Sequence, residues 1–135
     1  MLGLLSMPVM LLAAAAGIGA FRTPSGNIVC QHFVAATASV ECGIRSGLAG
    51  VRPARNCTAG DPITSRVALP ALGRAQRVLC AGDPGPFLAR TPPVLRYGTT
   101  WRGGGISCSS ARTGLTCRNR AGHGFFLSRE RWRVF

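Results

Sequence analysis

The sequence predicts an all-β domain: a small antiparallel sheet built from hairpins and stapled by disulfides. Three observations carry this expectation. Two segments, "NIVCQHFVAATASVECGI" and "ISCSSARTGLTCRN", alternate apolar and polar residues with the period of a half-buried strand. Six cysteines form an even set in a short chain that opens on an export-like segment. The chain holds 18 glycines and nine prolines, most of them beyond that opening, where no stretch holds a convincing helical period.

The opening, "MLGLLSMPVMLLAAAAGIGA", carries no charged side chain. Residues 1–20 read as a secretory signal peptide, leaving residues 21–135 as a single disulfide-rich β domain. A membrane anchor needs about 20 unbroken apolar residues, and Ser6, Pro8 and the glycines interrupt this run. The expected product is therefore secreted or periplasmic, without a transmembrane span, and monomeric.

"RTPSGN" at 22–27 is a turn. The first hairpin follows. A three-residue loop at Ala35-Ala36-Thr37 sets Val34 opposite Ala38, His32 opposite Val40, Cys30 opposite Cys42 and Ile28 opposite Ile44. Residues 45 to 66 read as loop. "VALPALGRAQRVLC" holds a short strand toward Cys80, "AGDPGPFLARTPP" is loop, and "VLRYGTTW" is a strand. In the second hairpin a four-residue loop at Ala111–Gly114 sets Ser109 opposite Thr116 and Cys108 opposite Cys117. "RAGH" then turns the chain into "GFFLS". The last residues, "SRERWRVF", are either one helical turn or extended.

Both hairpins set two cysteines directly across from each other. The expected bridges are therefore Cys30–Cys42 and Cys108–Cys117, which leaves Cys57–Cys80. Each contributes about 2–4 kcal/mol, mainly by restricting the unfolded chain. Zinc is disfavoured because no C-x₂-C spacing occurs. Asp61 and Asp83 approach each other if Cys57 bonds Cys80, but too few oxygen ligands accompany them for calcium. No metal or cofactor is expected.

The residues "FRTPSGNIVC", "VECGI", "CAGD" and "LRYGTTWRGGGISCSSARTGLTCRNRAGHGFFLSRERW" together resemble a family of small exported six-cysteine bacterial proteins of undescribed function. Its pattern opens on Ser/Thr-Pro-Ser-Gly-Asn-Ile-x-Cys and ends on Gly-His-Gly-Phe-x-Leu-Ser-Arg. Residues 45 to 75 depart from it most. The resemblance implies export and the six-cysteine framework, and it carries no catalytic residue across.

The net charge is +12, with sixteen arginines, no lysine and four acidic residues. High-GC codon usage accounts for part of that bias. An anionic partner, either an envelope polymer or a lipid surface, accounts for the rest. Nucleic acid is excluded by the expected export and by the lack of any nucleic-acid-binding motif. Carboxylates are sparse. Glu41, opposite Gln31, should be solvated, and His32 should be a satisfied core histidine.

The expected function is an exported or envelope-associated binding module for an anionic ligand. Its candidate ligand-binding residues are Trp101, Arg102, Arg118, Arg120, His123 and Trp132. The alternatives are a small cell-wall hydrolase using His123, or an enzyme inhibitor presenting the "RTPPVLR" loop. A non-enzymatic role is favoured, and no catalytic residue is assigned. His123, between Gly122 and Gly124, reads first as a turn residue and second as a binding contact.

Overall fold

The computed structural model describes residue 3, residues 19–34 and residues 38–135. Most of the segment read as a signal peptide, and the loop at residues 35–37, lie outside the described residues. The described chain is nearly all β: β1 (Ala20–Arg22), β2 (Ile28–Val34), β3 (Ala38–Ile44), β4 (Asp61–Pro62), β5 (Arg66–Pro70), β6 (Gln76–Arg77) and β7 (Cys80–Ala81) precede a 3-10 turn at Gly85–Leu88. Then come β8 (Thr100–Gly103), β9 (Ile106–Ala111), β10 (Gly114–Arg118), β11 (Gly124–Leu127) and β12 (Trp132–Val134).

These strands form two five-stranded antiparallel sheets, β1-β2-β3-β5-β6 and β12-β11-β10-β9-β8, with β4 and β7 as a separate short pair. Alternation gives each large sheet one apolar face, and both faces contribute to one core. Cys30, Val40, Cys42, Ile44, Val67 and Leu69 come from the first sheet, and Ile106, Cys108, Leu115, Cys117, Phe125 and Leu127 from the second. Ile28 faces Ile44 and Cys30 faces Cys42 in the first hairpin, while Cys108 faces Cys117 in the second. Disulfides join Cys30–Cys42, Cys57–Cys80 and Cys108–Cys117. The bridges on the two hairpins are fully buried, so they are part of the core they staple.

Several elements differ from the sequence reading. The segment "VALPALGRAQRVLC" holds short strands toward Cys80, β6 and the start of β7, and also a longer one at its start, β5, which pairs with β3 and extends the first hairpin's sheet. "VLRYGTTW" is a strand only from Thr100. Its first residues turn, with Thr99 donating to the Arg96 carbonyl. The second hairpin turns at Arg112-Thr113 alone, since Ala111 and Gly114 still pair. Of the two geometries expected for the C-terminus the extended one forms: it is a strand, β12, on the open edge of β11. The segment "RTPPVLR" does not stand free. Arg22 N donates to the Pro93 carbonyl and Leu95 N to the Arg22 carbonyl, stitching it along β1.

The outer face of the first sheet is covered by the 3-10 turn. A Cβ at Gly43 would collide with the Phe87 ring, so glycine is what lets that ring lie on β3. Glu41 is correspondingly not solvated. Both of its carboxylate oxygens accept hydrogen bonds from the Arg66 guanidinium at 3.1 Å, and its side chain is 13% exposed. Arg66 also donates to the Asp83 carbonyl and side chain, which ties the start of the 3-10 turn to the sheet. The sequence reading missed this because Arg66 reaches Glu41 only through the β3–β5 pairing.

Candidate functional site

Three strands set the geometry of the outer face of the second sheet. Arg102 pairs with Ser107, and Ser107 pairs with Arg118. Residues paired on one rung point to the same face. Arg118 in turn faces Gly124, and Gly124 closes the rung with Phe135. The next outward rung reads Thr100, Ser109, Thr116, Phe126 and Arg133. The face is thus built from arginines, hydroxyls and two phenylalanines.

Arg102, Ser107, Arg118, Asn119 and Arg120 line an open cleft of about 510 Å³ at the end of this face. Its floor depends on glycine. Gly104 and Gly105 have φ of +58° and +81°, the double left-handed pair of a tight hairpin turn. A side chain at Gly105 would meet Arg120 Nε at 3.1 Å and its Cδ at 3.4 Å. Arg120 therefore lies against the tip of the β8–β9 hairpin, and this brings it to Arg102 and Arg118.

Aromatic rings hold the neighbouring arginines. Arg118 stands 4.8 Å and Arg133 5.2 Å from the centroid of the Phe135 ring, and Arg131 stands 5.1 Å from that of Phe126. Such cation–π contacts orient a guanidinium without neutralising it. Among the described residues, both ion pairs are made by Arg66, on the other sheet. The arginines of this face keep their full positive potential and their bidentate donors.

Of the residues singled out from sequence, Arg102, Arg118 and Arg120 converge here. Trp101 does not. Its rung holds Cys108, Cys117 and Phe125, and its indole packs toward the core, 5.5 Å from Phe21 and 5.0 Å from His32 between ring centroids. Trp132 also faces inward, opposite Leu127, and its indole N–H donates to the Ala49 carbonyl. An indole needs one such acceptor when buried, and alternation in β12 turns it away from the arginines.

His123 ends the turn between β10 and β11. Asn119 organises that turn: its side-chain oxygen accepts from Ala121 N and His123 N, and Asn119 N donates to the His123 carbonyl. The Asn119 amide nitrogen donates to the Pro70 and Gly73 carbonyls, so the same side chain joins the two sheets. Gly122, at φ +83°, supplies the left-handed position. Glu41 and Asp83 line a cleft with Arg66, and Glu130 lines one with Arg112 and Arg129; neither cleft contains His123. Among the described residues, no three His, Cys, Asp or Glu side chains cluster to hold a metal. None of their helices is long and apolar enough to cross a membrane.

His32 is buried as expected but is not satisfied. It is 4% exposed, and Nε2 has no hydrogen-bond partner among the described residues. The ring is wedged between the Trp101 indole and the Gly103-Gly104 backbone. Burial lowers its pKa below the ordinary 6.5.

Arg133 belongs to an arginine cluster, Arg129, Arg131 and Arg133, that alternation sets opposite Trp132 if the C-terminus is extended; Ser107, Asn119, Phe126 and Phe135 were not singled out by the sequence reading. For Ser107 the signal was present, since the hairpin register already puts it opposite Arg118. Phe135, and the placement of Arg133 beside it, required the pairing of β12 with β11.

Residues 3–135 match the model of a family described as a family of unknown function (DUF6636). No curated protein and no solved structure matches the chain.

Proposed function

We propose that this chain, which belongs to the family of unknown function DUF6636, is an exported, non-enzymatic module that binds an anionic ligand of the cell envelope through the Arg102–Arg118–Arg120 cleft. One observation carries this reading: three arginines from two strands and a turn line one open cleft whose walls contain no carboxylate. Concentrating like charge on one face costs self-repulsion, and an anion relieves it. The sheet beneath the cleft is fixed by the buried Cys108–Cys117 bridge, so little ordering cost is added on binding. The alternation of Arg with Ser107 offers paired guanidinium donors and a hydroxyl to phosphate or carboxylate oxygens.

The expected affinity is about micromolar, roughly −8 kcal/mol, and falls with added salt. Retention of the folded protein on anionic vesicles and on envelope polymer fragments, measured at low and high salt, tests this. Replacing Arg102, Arg118 and Arg120 together with Gln should abolish retention. Replacing the exposed Arg52 and Arg55 should leave it nearly unchanged. Equal losses from both sets would mean the charge only solvates the protein.

A further inference from the structure

The β8–β9 turn has two sides. Its outer side walls the arginine cleft, which Gly103 and Gly105 line together with Arg102 and Arg120. Its inner side rests on His32. A Cβ at Gly104 would lie 2.7 Å from His32 Nε2, and one at Gly103 would lie 3.3 Å from His32 Cε1 and 2.7 Å from the Trp101 ring. The backbone of the turn therefore lies against the imidazole, and glycine is what permits that approach. His32 is 4% exposed, and Nε2 has no hydrogen-bond partner among the described residues.

We propose that His32 is a proton-operated latch on the β8–β9 turn: the neutral ring lets the turn close over it, and the protonated ring lifts the turn and pulls the arginine cleft apart. Its effect on binding rests on the anionic reading above, and to that site it adds regulation.

The physical reason is the state of Nε2. In a neutral ring Nε2 can be a bare acceptor, whose burial costs little beside that of a charge. In the imidazolium both ring nitrogens are donors, and Nε2–H then faces the turn without an acceptor. No charged side chain faces the ring to compensate. Glu41 of β3 and Arg102 of β8 lie on the outer faces of their sheets, Arg22 of β1 is exposed, and Arg120 lies beyond the turn against Gly105. β9 carries no charged side chain, and neither do the residues outside the described ones. Burial lowers the ring's pKa below the ordinary 6.5, so the latch stays shut at neutral pH and opens only in acid.

Topology decides which side yields. β2 is held on both edges, by β1 and β3, and His32 N donates to the Gly19 carbonyl. β8 is the outermost strand of its sheet and pairs only with β9 among the described residues. Its turn moves at the smallest loss of pairing. When it lifts, Arg102 and Arg120 lose their places beside Arg118, which stays on the interior strand β10. Charge alone predicts the opposite trend, since an added imidazolium near arginines attracts an anion more strongly. A fall of affinity in acid is the signature of the latch.

The test uses the intact disulfide-bonded protein from about pH 7.5 to about pH 4.5, the range that spans a histidine titration. NMR follows the His32 ring and the amide exchange of Gly103 and Ile106, which pair across the turn, with Cys117 and Phe125 as core references. As the ring takes up its proton, opening at Gly103 and Ile106 should rise about tenfold relative to the references. Unchanged exchange there while the ring titrates, or a rise shared by all four amides, overturns the latch. The binding arm uses dextran sulfate, whose sulfate esters keep their charge throughout. Its affinity should fall about tenfold as His32 protonates, and His32→Gln should remove the fall. Wild-type affinity that holds or rises in acid overturns the latch. Dextran sulfate that binds at no pH overturns the anionic reading, and the amide exchange then decides the latch alone. The wild-type readings stand even if His32→Gln fails to fold, and His32→Phe is then the second variant without a titrating ring.

Discussion

Gly124 and Phe135 close the last rung of the second sheet with reciprocal hydrogen bonds, each amide donating to the other's carbonyl at 2.9 Å. A Cβ at Gly124 would lie 2.9 Å from the Phe135 ring and would collide with the Cys117 carbonyl. The glycine therefore does two things. It lets β10 and β11 approach, and it leaves room for the ring that carries Arg118. The second glycine of "GHG" thus serves the arginine face, while the first serves the turn. Gly114 repeats the device, since a Cβ there would lie 2.6 Å from the Phe126 ring.

Gly124→Ala should destabilise the protein by about 1–3 kcal/mol through overpacking, and should also weaken anion binding. Phe135→Ala should weaken binding with a smaller stability loss, since the ring is half-buried. Chemical denaturation and retention on an anionic column, measured on both variants, separate the two effects.

Glu41→Ala should cost about 3–5 kcal/mol, because it leaves the Arg66 charge buried with much weaker compensation. Arg66 is 5% exposed at its side chain, whereas its other partner, Asp83, is 72% exposed. Asp83→Ala should therefore cost much less. Hydrogen exchange should show the 3-10 turn Gly85–Leu88 loosening in the Glu41 variant, because Arg66 is what ties it to β3.

His32 makes stability depend on pH. Its folded pKa lies below the ordinary 6.5 because burial disfavours the imidazolium. As pH falls below about 6.5 the unfolded chain takes up a proton before the folded chain does. Stability from the neutral ring is thus complete above that pH and is lost as pH falls toward the lowered folded value. His32→Phe should flatten this part of the pH–stability curve; a curve with the same slope in the variant would place the titration elsewhere.

Under the proposed export, the amino-terminal strand bears on where a processing cut would fall. His32 N donates to the Gly19 carbonyl at 2.6 Å, and Ala20 pairs with Gln31. A chain beginning at Phe21 loses both interactions, and one beginning at Gly19 keeps them. The shorter chain should show faster exchange at the His32 amide and a stability lower by about 1 kcal/mol. N-terminal sequencing of the protein recovered from the cell and from the medium tests whether a cut is made and at which residue; an intact Met1 would overturn the proposed processing.

Local pattern carried much of the fold. Alternation and loop length within residues 28–44 and 106–118 were enough to set both hairpin registers, because a one-residue slip would turn every apolar side chain outward. The same registers set Cys30 against Cys42, Cys108 against Cys117, and Ser107 against Arg118. All of these pairings lie within a few residues of a turn.

What sequence could not supply were pairings between distant segments. β5 joins β3 across residues 45–65, a largely irregular stretch, and only that pairing delivers Arg66 to Glu41. β12 forms because β11 has an open edge, which turns "SRERWRVF" into a strand, sends Trp132 inward and sets Arg133 and Phe135 beside Arg118. Trp101 and Trp132 look like surface binding aromatics in a string of arginines; the second apolar layer buries much of each. Composition determined that this protein is basic and disulfide-stapled. Tertiary structure decided which arginines stand together, because the sides of a strand are told apart only by what packs against them.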